Sequence, residues 1–242
     1  MRAGDIQAAF RVLPTGTLND IAPGAALILA PHADDESLGC GGLIASLCAA
    51  GRPPVVVIMT DGTGSHPGSK TWPAHRLRAQ REQEARNATA CLGLPDHHLV
   101  FLRLRDTAAP HDGPDFDHAV HHLAKLARTT ECRTILAPWR HDPHCDHESA
   151  WKMAVAVSDE LSLPLLAYPV WGWLIPADTD LDTTYPEGFR LDITPFRALK
   201  ARAIHLHESQ YGNLITDARE AFRLPEPLLA VFDAPYEVFL QP

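Results

Sequence analysis

Four short apolar runs, separated by helix-length stretches, constrain this chain more than any other feature. Ala25–Pro31 (AALILAP), Pro54–Thr60 (PVVVIMT), His98–Leu102 and Arg133–Pro138 (RTILAP) are largely continuous in hydrophobicity rather than alternating, which is how strands buried on both faces of a parallel sheet read. Between them, Leu38–Ala50, Ala74–Leu92 and Phe116–Arg128 supply helices, and a further helix is expected from about His147 to Leu161. Gly51 stops the first helix, and Gly93 with Pro95 stops the second. The alternation predicts an α/β fold: a doubly wound, mostly parallel, Rossmann-like sheet with helices on both faces. In such a sheet the carboxyl ends of the parallel strands share one edge, and sites form just beyond it.

The length of 242 residues and a hydrophobic share of 45% suit one well-filled core, so a single domain over residues 1–242 is expected. Residues 1–24 read as an N-terminal arm, and 164–242 as a less regular C-terminal part on the same domain. Within that part, Tyr168–Ile175 (YPVWGWLI) reads as a strand, Pro176–Glu187 as irregular, Phe196–His207 as a helix and Phe232–Leu240 as an edge strand. A formal charge of −9 gives no basic footprint, so nucleic acid is not an expected partner. Leu161–Pro176 is interrupted by Pro164, Pro169 and Gly172 and is shorter than the roughly 20 residues of a membrane span. The five cysteines form no C-x-x-C pair, and the first thirty residues lack the pattern of a secretion signal, so a cytoplasmic location is expected.

Two clusters of polar residues follow strands. Pro31-His32-Ala33-Asp34-Asp35-Glu36 comes after the first run, and His141-Asp142-Pro143-His144-Cys145-Asp146-His147 comes after RTILAP. Although more than a hundred residues apart in sequence, they belong at one sheet edge, where they can converge. His32, Asp35 and His147 then match the three protein ligands of a catalytic zinc site with an open position. The same donors also suit iron and other divalent ions. Asp34, adjacent to Asp35 on an irregular turn, diverges from it to face the open position and is the natural general base. The competing reading makes the three acids helix caps, each contributing about 0.3–1 kcal/mol, and the second cluster a solvated loop. One cap is enough for a helix, and three acids beside a histidine repel one another without a cation.

These residues resemble the LmbE-like, or PIG-L, family of zinc-dependent N-acetylglucosaminyl deacetylases. Its marks are an H-P-D-D-E-like motif after the first strand, here His32-Ala33-Asp34-Asp35-Glu36, and a later H-x-D-H, here His144-Cys145-Asp146-His147. The likeness extends over Leu27–Gln210 through Thr60-Asp61-Gly62, Arg81 with Glu84, Ala88, Leu92-Gly93, Lys200, Ala203 and His207-x-Ser209-Gln210. It departs at Ala33, where proline is usual, and at Cys145 in the variable position. The resemblance implies one zinc per chain on His32, Asp35 and His147, and Asp34 as base. It further implies a protonated His144 that stabilises the oxyanion, with Asp146 orienting it. The implied reaction removes an N-acyl group, acetyl above all, from a small amino-sugar-like substrate. Other amides with the same metal chemistry, and a non-catalytic metal- or sugar-binding module, are the alternatives.

Substrate contacts are read from weaker signals. Arg81 and Glu84 share a helix face at i and i+3, either at the pocket wall or as a surface ion pair. On a strand, Trp171 and Trp173 would share a face that stacks on a sugar ring, or equally makes a core or oligomer contact. His207 is placed at the pocket rim by the resemblance. Gly39, Gly41 and Gly42 lack the G-x-G-x-x-G spacing and are assigned to helix-on-sheet packing. Association into a homo-oligomer is the remaining partner expectation.

Overall fold

The computed structural model of the chain describes residues 1–242. In chain order the elements are α1 (Ala3–Phe10), β1 (Thr15–Gly16), α2 (Leu18–Ile21), β2 (Ala25–Ala30), α3 (Asp35–Ala49), β3 (Val55–Thr60), α4 (Ala74–Cys91), β4 (Leu99–Leu104), α5 (Gly113–Thr129) and β5 (Cys132–Pro138). They continue with α6 (Cys145–Leu161), β6 (Leu165–Tyr168), β7 (Gly188–Asp192), α7 (Arg197–His205), α8 (Glu208–Tyr211), α9 (Glu226–Phe232) and β8 (Tyr236–Leu240). All eight strands form one sheet in the order β1-β7-β8-β6-β5-β2-β3-β4. Strands β6, β5, β2, β3 and β4 run parallel, with Leu27 opposite Val55 on one side and Ile135 on the other. The doubly wound α/β expectation holds for this half.

The apolar runs are continuous because both sheet faces are covered. On β2, Ala26, Ile28 and Ala30 join the core beneath α3, α4 and α7, whereas Leu27 and Leu29 join the core beneath α5 and α6. Val56 and Ile58 of β3 divide from Val55, Val57 and Met59 in the same way. Each fully buried Leu, Ile or Val contributes about 1.5–3 kcal/mol, so a polar residue on either face of these strands would be costly. Helix α3 lies close against Tyr168: a Cβ at Gly39 would fall 2.2 Å from the Tyr168 ring, so that position admits only glycine. The Tyr168 hydroxyl in turn donates to the Leu29 carbonyl at 2.6 Å.

From β2 the chain winds outward through β3 and β4, then returns to place β5 on the opposite side of β2. Between β2 and β5 the strand order therefore reverses, and the crevice above such a reversal is where open α/β sheets bind ligands. Both polar clusters leave the sheet at that point.

The C-terminal part departs from the sequence reading in two places. The Tyr168–Ile175 run is not a strand: β6 ends at Tyr168, and Trp171–Leu174 forms a 3-10 turn. The backbone amides of Val170, Trp171 and Gly172 all donate to the Asp142 carboxylate, which removes them from any ladder. The last strand is not at an edge either. β8 is shorter than the expected Phe232–Leu240 and lies inside the sheet, antiparallel to both β6 and β7. The true edges are β4 and the two-residue β1, the latter supplied by the N-terminal arm. No helix is long and apolar enough to cross a membrane.

Candidate active site

His32 leaves β2 on the turn into α3, and Asp35 opens that helix. The Asp35 Oδ2 atom accepts the His32 backbone N–H at 2.9 Å and lies 3.3 Å from His32 Nδ1. It also lies 3.3 Å from Nε2 of His147, which sits in the first turn of α6. Each imidazole has its other nitrogen committed. His147 Nδ1 donates to Asp142 at 3.0 Å, and His32 Nε2 donates to Asp146 at 3.1 Å, with Asp106 Oδ1 at 3.3 Å beside it. The remaining nitrogens, His32 Nδ1 and His147 Nε2, thereby face the same carboxylate oxygen. His147 Nε2 is fully buried and has no hydrogen-bond partner.

The two spacings at Asp35 suit a divalent metal ion such as zinc, and one nitrogen each of His32, His144 and His147 also lies within 4.8 Å of the others. Two ligands on one tetrahedral zinc, each about 2.0–2.1 Å from it, are separated by about 3.3–3.4 Å, the spacing found on either side of Asp35 Oδ2. Both histidines donate their distal N–H to a carboxylate, the support that metal-ligating imidazoles ordinarily have. Electrostatics agree. Burial alone would lower His147, but Asp35 and Asp142 carry it up to about 9. Burial likewise opposes a charge on His32, yet hydrogen bonds to Asp106, Asp146 and Asp35 hold it well above the usual imidazole range. A field that raises two buried imidazoles favours any cation placed between them.

The hydrogen bonds of Asp146 and His144 differ from those that the resemblance implies. Asp146 does not orient His144: its carboxylate accepts from His32 and from the Thr107 and Ala109 amides at 2.8 and 3.0 Å. His144 instead caps α6, with Nδ1 accepting the Asp146 backbone N–H at 3.2 Å. That bond leaves the ring proton on Nε2. Burial, then the neighbouring His32 and His147, push His144 down to about 4. It remains in the cluster, its ring 4.6 Å from that of His32 and 5.3 Å from that of His147.

Asp34 stands at the amino end of α3 with φ 150°, a backbone conformation that side chains rarely adopt. Its amide donates to Glu36 Oε2 at 2.9 Å, while Glu36 Oε1 accepts from Ser37 Oγ at 2.6 Å and His207 Nε2 at 3.0 Å. Arg81 donates to the carbonyls of Ala33 and Gly62 and lies 3.8 Å from the Asp34 carboxylate. Burial raises Asp34 to about 7 against the opposing charge of Arg81. Arg81 and Glu84 are buried and do not form a surface ion pair, because Glu84 accepts from the hydroxyl and amide of Ser209.

A cavity of about 330 Å³ opens over this cluster, lined by His32, Asp34, Asp35, Arg81, His144 and Trp171 among the expected residues. Asp106, Thr107, Gln210 and Phe222 also line it. Asp146, His147, Trp173 and His207 do not, the first two being fully buried beneath it. Trp173 is 8% exposed and packs edge-on against Phe10, because the 3-10 turn sends it to the other side of Trp171 from the cavity. His207 is fully buried beneath Glu36 and supports the Asp34 turn from below. Sequence reasoning missed Asp106, although it follows β4 at the same sheet edge as the two clusters. It also left Asp142 without a role, and nothing in the sequence pointed to Phe222.

The family described as PIG-L, GlcNAc-PI de-N-acetylase, matches residues 27–158, a span that includes both clusters. A diacetylchitobiose deacetylase from Thermococcus kodakarensis is 26% identical over 204 residues, 81% of this chain and 73% of that protein. In fold, an N,N'-diacetylchitobiose deacetylase from Pyrococcus horikoshii superposes with a TM-score of 0.64 at 23% identity, covering 86% of this chain and 78% of its own. A 4-carboxy-2-hydroxymuconate hydratase from Pseudomonas putida shares the fold at a TM-score of 0.56 and 22% identity, covering 76% and 82%. The fold thus hosts more than one chemistry, and the family is decided by the match over residues 27–158. More than half of the chain, with the histidine and aspartate clusters at both strand ends, belongs to the PIG-L, LmbE-like family of deacetylases.

Proposed function

We propose that this protein is a zinc-dependent hydrolase that removes the acetyl group from the nitrogen of an amino sugar or amino-sugar conjugate. The observation that carries this reading is the convergence of His32 Nδ1 and His147 Nε2 on Asp35 Oδ2 beside a cavity that also holds Asp34 and His144. The relative named for deacetylation of diacetylchitobiose supports an N-acetylated sugar as the substrate class. The cysteines are all free thiols, which supports a cytoplasmic location.

His32, Asp35 and His147 would hold the metal, which supplies Lewis acidity towards the acyl carbonyl and lowers the pKa of water. Asp34, poised near neutrality, takes the proton of the attacking water as the new C–O bond forms. His144, whose Nδ1 accepts the Asp146 amide, donates Nε2–H to the developing oxyanion. Asp34, which holds the proton taken from water, returns it to the leaving amine as the C–N bond breaks. Arg81 holds the Ala33 carbonyl and so keeps the base turned to the cavity.

The test pairs metal content with amine release. Wild type should carry stoichiometric zinc and release amine from N-acetylglucosamine or N,N'-diacetylchitobiose, with loss on chelation and recovery on adding zinc. His147→Ala should lose both metal and activity. Wild type that holds zinc yet releases no amine across a panel of N-acylated sugars and conjugates would overturn the reading.

A further inference from the structure

The carboxylate of Asp142 is buried, and every one of its contacts is accounted for. Oδ2 accepts from His147 Nδ1 at 3.0 Å, from the Val170 amide at 2.9 Å and from the Trp171 amide at 3.0 Å. Oδ1 accepts from the Gly172 amide at 2.7 Å. One end of this network is an imidazole whose other nitrogen faces Asp35. The other end is the turn that presents Trp171 to the cavity. The turn fits tightly: a Cβ at Gly172 would fall 2.9 Å from Asp142 Oδ1 and 2.6 Å from the Trp139 ring.

We infer that Asp142 is a positioning residue that couples the metal site to the substrate wall. It fixes the Nδ1–H tautomer of His147, so that Nε2 is the free donor, and with the same oxygen it fixes the turn carrying Trp171. A shift of that turn must move the carboxylate, and a shift of the carboxylate re-aims His147. A buried oxygen that serves three distinct donors transmits displacement in this way, because none of the bonds can lengthen without leaving a desolvated donor unpaired. The inference rests on the reading of His147 as a metal ligand.

The coupling is tested by zinc affinity, measured by competition with a chromophoric chelator and so independent of turnover. Asp142→Asn can keep its carbonyl towards His147 by turning its amide to Gly172, yet it loses the negative charge and the Gly172 bond. Zinc should bind about 10- to 100-fold more weakly, the usual cost of losing a supporting group behind a metal ligand. At saturating zinc the variant should still show a raised KM, because Trp171 is misplaced. Gly172→Ala is the sharper arm and the safeguard if Asp142→Asn does not fold. It touches neither metal nor His147, and it should weaken zinc binding as well as substrate binding. A folded Asp142→Asn with wild-type zinc affinity, or a Gly172→Ala that raises KM with zinc affinity unchanged, overturns the coupling. Failure of wild type to bind zinc at all would instead refute the site reading beneath it.

Discussion

The floor and the wall of the cavity are built by different means. The floor is held by buried carboxylates at the switch point between β2 and β5: Asp142 and Asp146 each accept several backbone or imidazole protons, and Asp35 accepts the His32 amide. The wall is made where residues 65–71 meet 217–222, two irregular segments joined by Arg219 N–H to the Pro67 carbonyl and Phe222 N–H to the Ser65 carbonyl. An exposed clasp reinforces them, with Asp217 accepting from the hydroxyls of Ser69 and Thr71 and from the amides of Lys70 and Thr71. Buried networks of the first kind set geometry, whereas solvated loops of the second kind tolerate change. On the proposed reading the chemistry sits on the rigid part, and the choice of substrate on the replaceable part.

That contrast breaks first at Asp34. If the floor does the chemistry, Asp34→Asn should retain zinc and lower kcat by about 10²- to 10⁴-fold with little change in KM. Zinc-loaded variant with wild-type kcat would remove Asp34 from the reaction. The wall should behave oppositely. Phe222 stands edge-on to Trp171 with ring centroids 5.9 Å apart, and Phe222→Ala should raise KM about two- to tenfold, equivalent to ~0.5–1.5 kcal/mol of aromatic contact, while kcat holds. A fall in kcat with KM unchanged would show that wall and floor are not separable.

The smallest expected effect is at Asp217. Hydrogen bonds from Ser69, then Thr71, hold its carboxyl below the usual range. A folded value below the unfolded one, near 3.9, means that the ionised clasp stabilises at all pH values above the unfolded titration and loses this as pH falls further, through the folded value. Amide exchange at Lys70 and Thr71 should therefore be faster in Asp217→Asn than in wild type at neutral pH, with the difference narrowing in acid below about pH 3.9. A difference independent of pH would mean that the charge plays no part in the clasp.

The parallel half of the fold was legible because β2, β3 and β5 are covered on both faces, which leaves continuous apolar runs that nothing else in the chain imitates. The same logic placed both clusters at one sheet edge, so His32, Asp35, His144 and His147 could be brought together from their positions alone. What could not be read depended on long-range hydrogen bonds. Tyr168–Ile175 has the composition of a strand, but Asp142 takes the amides that a strand would need. Asp146 is two residues from His144, yet its carboxylate serves His32, more than a hundred residues away, because the cap at the start of α6 has already used the nearer ring. Phe222 reaches the cavity from an irregular segment with no periodicity to place it.

Because Asp35 and His147 are contributed by segments on either side of the β2–β5 seam, they meet only after the chain has gone out through β4 and come back. An intermediate with β2, β3 and β4 assembled but β5 undocked would possess His32 and Asp35 without His147 and hold no ion tightly. The binding free energy of a divalent ion at this seam would therefore be drawn on only by the completed topology, adding to native stability in proportion to the logarithm of ion supply. Metal occupancy would thus report correct assembly of the sheet, and scarcity of the ion would weaken the fold as well as the reaction.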